Sequence, residues 1–375
     1  MIHVEIVKPT RQGLRPFIQL PFDIYKKDRN WAPPARHDLL RSLTGKDNEF
    51  FTHGIQRFFI TFDDEKPVAR VLAGVDLRLS AQFGEATGYI SLFESYDNYE
   101  YAAASLDAAT RFLKENGVKR VIGPIAPRYD LLNRGVLVEG FDGPPVLQNA
   151  YNQPFMPQLL EQYGFQKWRD YLAYDILTDS IPVHRILPMA ERIRGRFGFR
   201  VTHVDFTRSN LIRVAQDMSS IILEATPDEP GAYLPAAEDL LQMFKRIRPW
   251  LRNQTALMAY AGRRPIGMVV GFVDSSPSVI GTSGRRTPYN WAKRVIKTMG
   301  TKTSRCPMLY VVPEFQNKAV NTVLLAEAVK GAKSLGIERI EGSLVDETNI
   351  VSVNNTLYAG GKLYRRYRVY QLALG

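Results

Sequence analysis

The chain has 375 residues, of which 45% are hydrophobic and 23% are charged, and its formal net charge is +11. This composition excludes a disordered or low-complexity chain, and the length predicts two domains that each bury a core. The positive charge favours anionic partners such as phosphates, acidic lipid surfaces or nucleic acid, without choosing among them.

Cysteine and histidine usage excludes two kinds of site. Cys306 is the only cysteine, so neither an internal disulfide nor a cysteine-based zinc site can form, as is typical of a reducing compartment. The five histidines have no metal-ligand spacing, so we expect no metal. The first residues lack a signal-peptide pattern, and no apolar run approaches the roughly 20 residues that span a bilayer. We therefore expect a cytoplasmic protein.

The N-terminal half alternates strands and helices. A helix near Leu39 precedes a hairpin over residues 57–77 with its turn at residues 63–66. Residues 99–117 have the apolar spacing of an amphipathic helix. Residues 127–151 form a long loop punctuated by Gly and Pro, which either carries function or packs on a neighbouring domain. Residues 179–200 are predicted to be a linker.

The C-terminal half repeats this order. A hairpin over residues 255–274 turns at residues 262–265, and a strand over residues 308–312 leads through a polar turn into a helix that stops at Gly336. A strand at residues 339–345 follows. The final strand alternates tyrosines with arginines, which predicts a sheet edge with a solvated basic face.

A basic segment interrupts this half. No acidic residue lies between Ser275 and Arg305. Residues 287–300 read as a short helix with Trp291, Val295 and Met299 on one stripe. Such a helix can lie on an anionic membrane surface at residues 285–305, or pack its stripe on the protein. We expect packing on the protein, because short helices alone bind membranes weakly. The positive residues are Arg285, Arg286, Lys293, Arg294, Lys297, Lys302 and Arg305.

The two halves contain an internal repeat. Aromatic residues fall at the same offsets after Gly164 and Gly360, in "GFQKWRDYLAYDI" and "GGKLYRRYRVY". Upstream, "LKENGVKRVIGPI" and "AKSLGIERIEGSL" share a helix end, a Gly stop and a short strand. Two such blocks predict a duplicated α/β domain.

The element order resembles the GNAT superfamily of acyl-CoA N-acyltransferases. The segments "GPPVLQNAYNQPFMPQLLEQYGF", "VDETN" and "YRVY" are similar to a bacterial tandem-GNAT family that includes ceramide synthases. This resemblance implies an α/β fold with two tandem GNAT domains, each a mixed, mostly antiparallel sheet flanked by helices. Residues 1–178 would form the first domain and residues 179–375 the second.

The resemblance implies one acyl-CoA site, in the second domain, with acyl-CoA as co-substrate and no permanently bound cofactor. The family's pyrophosphate turn would fall on residues 316–321. Ala319 stands there at the position of the family's first glycine, and Asn321 at the position of its second glycine or alanine. The alternative is a structural turn that has lost its ligand. In the first domain, Glu94 and Asp97 lie where a phosphate would bind and would repel it. The expected CoA-binding residues are Val311, Val312, Gln316, Asn317, Lys318, Ala319, Val320, Asn321 and Asn349.

Amide formation from a thioester needs a base, an acid and an oxyanion donor. A main-chain N–H of the strand at residues 308–312 would hold the oxyanion. Glu341 is the first candidate base, either buried or on a solvated strand face, and Glu347 is the second. Tyr358 is the candidate acid for the leaving thiolate, although core packing is its ordinary role.

The amine acceptor would be bound by Asn149, Tyr151, Asn152 and Trp291, although the asparagines can instead brace the loop. We expect an N-acyltransferase acting on an amine, with a sphingoid-type lipid amine implied by the resemblance. The alternatives are a non-catalytic ligand-binding protein on a degenerate GNAT scaffold and a Fem-type transferase that uses aminoacyl-tRNA. No nucleic-acid recognition module is evident, so nucleic acid is not an expected partner.

Overall fold

The computed structural model describes residues 1–45, 54–125, 134–226, 234–285 and 287–375, except the side chain of Arg246. Part of the predicted loop, residues 127–133, and Arg286 of the basic segment lie outside these ranges. The strands are β1 (Ile2–Val7), β2 (Gly54–Asp63), β3 (Lys66–Asp76), β4 (Thr87–Ser95), β5 (Arg120–Gly123), β6 (Val136–Glu139), β7 (Gln166–Leu177), β8 (Arg200–His203), β9 (Leu251–Ala261), β10 (Arg264–Val273), β11 (Thr303–Val311), β12 (Arg339–Asp346) and β13 (Lys362–Ala373).

Helices separate these strands in both halves. They are α1 (Leu14–Ile24), α2 (Arg36–Leu43), α3 (Leu77–Phe83), α4 (Tyr99–Glu115), α5 (Met156–Tyr163), α6 (Val183–Phe197), α7 (Leu211–Ala225), α8 (Ala237–Ile247), α9 (Ser276–Val279), α10 (Pro288–Met299), α11 (Val320–Ser334) and α12 (Ile350–Tyr358). A 3₁₀ turn over Pro313–Lys318 joins β11 to α11.

The chain divides into two units. Unit 1 contains Met1–Leu172, Ser276–Val295 and Arg365–Gly375, and unit 2 contains Ala173–Ser275 and Ile296–Tyr364. The predicted domain boundary at residues 178/179 lies near the observed division at 172/173. The two later segments that join unit 1 were not predicted. The predicted linker at residues 179–200 is wrong in its structure, since α6 occupies most of it.

Unit 1 has a mixed sheet whose pairs are antiparallel except one. Its order is β1-β2-β3-β4-β5-β13, with β6 also paired to β13. The parallel pair is β4 with β5, and α4 packs on β2 and β3. Helix α4 begins after Asn98, whose side chain accepts from the N–H groups of Glu100 and Tyr101. Its apolar positions, including Leu106 and Leu113, are fully buried.

Unit 2 repeats the arrangement. The order β8-β9-β10-β11 is antiparallel, and β11 and β12 run parallel. Helix α11 packs on β9 and β10, and a Cβ built at Gly331 would lie 1.9 Å from the carbonyl oxygen of Gln254. Only glycine permits that approach, so Gly331 fixes how closely the helix lies on the sheet.

The prediction that the last strand is a solvated sheet edge is wrong. Strand β13 pairs with both β5 and β6, and Tyr367 and Tyr370 have no exposed surface. Arg365 is 2% exposed and donates to the carbonyl oxygens of three loop residues. The basic face is therefore largely internal to unit 1.

Candidate functional site

The parallel strands β11 and β12 separate part of the way along their length. Their ladder runs from Thr303 opposite Arg339 to Cys306 opposite Gly342 and ends there. Both strands continue, β11 to Val311 and β12 to Asp346. Beyond Cys306 the two backbones therefore form a fork instead of a ladder. A fork between two strands exposes main-chain groups that an extended ligand can use.

The edge of β11 supplies those main-chain groups. The N–H of Val312 donates to the carbonyl oxygen of Ile266 at 3.0 Å, and Val311 lies opposite Gly267. In an antiparallel ladder alternate residues point their N–H groups to opposite sides. The N–H groups of Leu309 and Val311 therefore turn away from β10, towards the fork.

The turn after β11 ends in a residue with left-handed backbone. Ala319 has φ +56° and ψ +21°, in the left-handed region, which costs a non-glycine residue roughly 1–2 kcal/mol. Gln316 does not extend outward: its side-chain amide donates to the carbonyl oxygen of Val311 at 3.2 Å. This bond fixes the turn against the end of β11.

The start of α11 favours an anion. Its N-cap residue makes no side-chain hydrogen bond, and its first turn contains no acidic residue. The ammonium of Lys318 lies 4.3 Å from the centre of the Phe315 ring, beside the turn. Asn321 is partly exposed, and its side-chain oxygen lies 3.5 Å from the hydroxyl of the adjacent Thr322. Positive helix-end charge and a nearby lysine are thus combined at one turn.

Glu341 is buried in an ion pair, so its solvated alternative is wrong. It lies opposite Arg305 in the ladder, with Arg305 Nε 3.4 Å from Glu341 Oε2. The Ser343 hydroxyl donates to Oε2 at 2.6 Å, and the Tyr364 hydroxyl donates to Oε1 at 3.2 Å. Arg305 has no exposed surface. It therefore does not contribute to the predicted basic surface.

The neighbouring thiol is not a nucleophile. Burial raises the pKa of Cys306 to about 12, with a further contribution from Glu341. At neutral pH the group is a thiol, which is the unreactive form.

The remaining predicted residues of unit 2 lie around α12. Asn349 is the N-cap residue, and its side-chain oxygen accepts from the N–H of Ser352 at 3.0 Å. Glu347 is half-buried in the turn between β12 and α12. Tyr358 is 90% exposed, so the core-packing alternative for it is wrong. Tyr364 was predicted only as a residue of the last strand and not as a site residue. Its hydroxyl is the phenol that donates to Glu341.

The corresponding position in unit 1 is closed. There β4 and β5 pair as far as Tyr89 opposite Ile122, and further bonds continue across the strands. The N–H of Ile125 donates to the carbonyl oxygen of Ile90 at 3.0 Å, and the Ser91 hydroxyl donates to the carbonyl of Ile125. These bonds hold β4 and β5 together beyond their ladder, and the side-chain cap of α4 occupies the N–H groups at the start of that helix. The open fork and the uncapped helix start of unit 2 therefore have no equivalent at this position of unit 1.

Glu94 of β4 is the acidic group that the sequence placed at this closed position. The Tyr25 hydroxyl donates to its carboxylate at 2.7 Å. Burial raises the pKa of Glu94 to about 7, although Arg70 and Tyr25 act in the opposite direction. The carboxyl is thus partly protonated at neutral pH, and its repulsion of anions is weaker than the sequence predicted.

This raised pKa predicts a pH-dependent stability. Between the ordinary glutamate range and pH 7 the folded chain holds a proton that the unfolded chain releases, so the free energy of unfolding falls as pH rises. The expected loss is about 2–3 kcal/mol. Urea unfolding between pH 5 and pH 8 measures it. Glu94→Gln should lose this dependence, whereas Asp97→Asn, an exposed neighbour, should keep it; equal slopes for all three would contradict the assignment.

The predicted acceptor residues of unit 1 hold the loop together. The side-chain oxygen of Asn152 accepts from the N–H of Leu137 at 2.7 Å, and its amide donates to the carbonyl of Leu137 at 3.1 Å. The Tyr151 hydroxyl donates to Asp28 at 2.8 Å. Asn149 is 7% exposed. These contacts favour the bracing alternative for Asn152.

Helix α10 exposes its apolar side, whereas an ordinary surface helix buries it. Its apolar residues Trp291, Ile296 and Met299 are 69%, 71% and 81% exposed. The expectation that this stripe packs on the protein is therefore wrong. Two of its polar residues, Asn290 and Lys293, are less exposed: Asn290 donates to the carbonyl of Arg285 at 2.9 Å, and Lys293 donates to that of Ile280 at 3.1 Å.

The described ranges contain no group of three His, Cys, Asp or Glu side chains placed to hold a metal ion. No helix in the same ranges is long and apolar enough to cross a bilayer.

Comparisons with known proteins extend over nearly the whole chain. No protein-family model matches it. It is 26% identical over 372 residues to Protein YghO of Escherichia coli (strain K12), covering 96% of this chain and 93% of that protein. It is 27% identical over 383 residues to the bacterial ceramide synthase of Caulobacter vibrioides (strain NA1000 / CB15N), covering 97% and 96%. It is also similar to the tandem GNAT protein from the clavulanic acid biosynthesis pathway, with TM-score 0.56 at 11% identity, covering 100% and 99%.

Proposed function

Since the chain has the tandem GNAT fold, we propose that it is an N-acyltransferase that takes an acyl group from acyl-CoA and places it on an amine. The observation that carries this proposal is the difference between the units. In unit 2 the fork opens beside an uncapped helix start, whereas in unit 1 both features are closed by hydrogen bonds.

The fork accounts for the binding of the co-substrate. An extended thioester arm would lie between β11 and β12 and bond the main-chain groups of Leu309 and Val311. Its diphosphate would meet the N–H groups at the start of α11, with Lys318 alongside. Ala319 would supply the left-handed turn there, as glycine does at lower conformational cost.

The reaction joins the amine nitrogen to the thioester carbonyl carbon and breaks the carbon–sulfur bond. The N–H groups that face the fork would stabilise the negative oxygen of the intermediate. The nitrogen loses one proton, for which Glu347 is the candidate acceptor, and the leaving thiolate gains one, for which Tyr358 and Tyr364 are the candidate donors. Glu341, already accepting from Ser343 and Tyr364, would position Tyr364 instead of reacting itself.

The acceptor is proposed to be a long-chain, sphingoid-type lipid amine. This substrate class rests on the similarity to the bacterial ceramide synthase at 27% identity. A cytoplasmic protein that works at the inner face of a membrane would meet both a soluble acyl-CoA and a lipid amine. Tyr151 and Trp291 stay candidate acceptor-binding residues.

Calorimetric titration tests the co-substrate. We expect the full chain to bind acetyl-CoA or a long-chain acyl-CoA, and Lys318→Glu to weaken binding about tenfold or more, because the charge beside the diphosphate is reversed. The matched control is Lys330→Glu, the same charge change at an exposed position of α11.

Two outcomes would contradict the proposal. Absence of binding to either acyl-CoA would favour the non-catalytic scaffold alternative. Equal weakening by Lys318→Glu and Lys330→Glu would place the ligand elsewhere.

A further inference from the structure

The outward face of α10 is apolar along its whole length. Residues Trp291, Val295 and Met299 recur at every fourth position, and Tyr289 and Ile296 continue the same side of the helix. All five side chains are exposed, Tyr289 by 75% and Val295 by 39%. A surface helix normally buries such a face, and its exposure predicts an apolar partner.

The inward face of α10 is built from polar contacts. Asn290 also donates to the carbonyl of Thr282 at 3.4 Å, and the N–H of Asn290 is accepted by the Thr287 hydroxyl at 3.1 Å. These contacts hold the helix with its polar side towards the protein. The exposure of the apolar side is thus fixed by the fold and is not a frayed end.

The charge around the helix selects the partner. The sequence from Ser275 to Arg305 contains no acidic residue, and Arg285 and Lys297 are exposed. Lys302 is paired with Glu338 at 2.6 Å and contributes little. Exposed cations beside an apolar face that carries Trp and Tyr match the headgroup and upper acyl layers of an anionic bilayer.

A second copy of the chain fits this surface less well. In a two-fold dimer each patch meets itself, so the cations of one copy would face the cations of the other and repel them. A face of a 12-residue helix is about 18 Å long and about 10 Å wide. That area is well below the roughly 800 Å² per partner of a stable protein interface.

We propose that the exposed face of α10 inserts into the headgroup layer of anionic membranes, with Trp291, Ile296 and Met299 in contact with lipid and Arg285 and Lys297 at the phosphates. This inference deepens the proposed function, because it supplies the surface from which a lipid amine would be reached. The two remain separable, since vesicle binding needs no acyl transfer and acyl-CoA titration needs no vesicles.

Co-sedimentation of the full chain with vesicles tests the proposal. We expect binding to vesicles that contain phosphatidylglycerol, about tenfold weaker binding to pure phosphatidylcholine, and loss of the difference at high salt. Trp291→Ser combined with Ile296→Ser should reduce binding about tenfold or more. The matched control is Ile212→Ser with Leu223→Ser on α7, two residues that are 58% and 50% exposed, and it should bind as the unmodified chain does.

Trp291 also reports its own environment. The tryptophan emission of the chain should shift to shorter wavelength on anionic vesicles, and Trp291→Phe should keep binding while losing most of the shift. Equal binding by the Trp291→Ser, Ile296→Ser variant and the unmodified chain would overturn the proposal. The proposal would also be overturned if the chain did not bind vesicles and if replacing the same two residues converted a dimer to a monomer in sedimentation velocity.

Discussion

Glu341→Leu should lower the free energy of unfolding by about 3–5 kcal/mol, because it leaves the buried guanidinium of Arg305 without its carboxylate. Both side chains are almost fully buried, at 0% and 3% exposure, so water cannot replace the lost partner. Chemical denaturation of the variant and the unmodified chain measures the difference.

Three further measurements separate this role from that of a catalytic base. Replacing both partners, as Arg305→Met with Glu341→Leu, should recover much of the loss, since no buried charge then stays unpaired. Glu338→Gln, which breaks the exposed pair with Lys302, should cost less than about 1 kcal/mol. A Glu341→Leu variant as stable as the unmodified chain, yet inactive in acyl transfer, would contradict the positioning role and restore Glu341 as the base.

Arg365→Met should destabilise unit 1 by about 3 kcal/mol or more, because three loop carbonyls lose a charged donor. The guanidinium donates to Gly140, Asp142 and Gly143 at 2.9, 2.8 and 2.8 Å. Urea unfolding measures the loss, and Arg365→Lys should recover only part of it, since an ammonium cannot reproduce the planar fork of donors.

The control for Arg365 lies on the same strand. Lys362 is exposed, and Lys362→Met should change the free energy of unfolding by less than about 0.5 kcal/mol. Similar losses for Lys362→Met and Arg365→Met would contradict the assignment of a specific carbonyl-binding role to Arg365.

The fold was predicted well where local chemistry determines it. Both hairpins turn where the sequence indicated, with Asp63 opposite Lys66 and Ala261 opposite Arg264. The prediction of an α/β fold with two tandem GNAT domains is confirmed by the comparison of folds. The linker prediction failed because α6 occupies most of residues 179–200, with Pro188 inside the helix.

The site was predicted only in part, because its contacts join distant segments. The resemblance to the GNAT superfamily located the turn at residues 316–321, but the left-handed Ala319 and the bond from Gln316 to Val311 needed coordinates. The pairing of Glu341 with Arg305 depends on the register between β11 and β12. Helix periodicity located the apolar stripe of α10 but could not say which side faces the protein.

The membership of residues 365–375 in unit 1 bears on how the chain is made. On the ribosome, β5 and β6 emerge long before β13, the strand that pairs with both of them. Their unpaired edges must therefore wait through the synthesis of most of unit 2, a period in which exposed strand edges promote aggregation. Unit 1 therefore cannot complete its sheet before unit 2 has been synthesised. A fragment cut at the repeat boundary would lack the strand that completes this sheet.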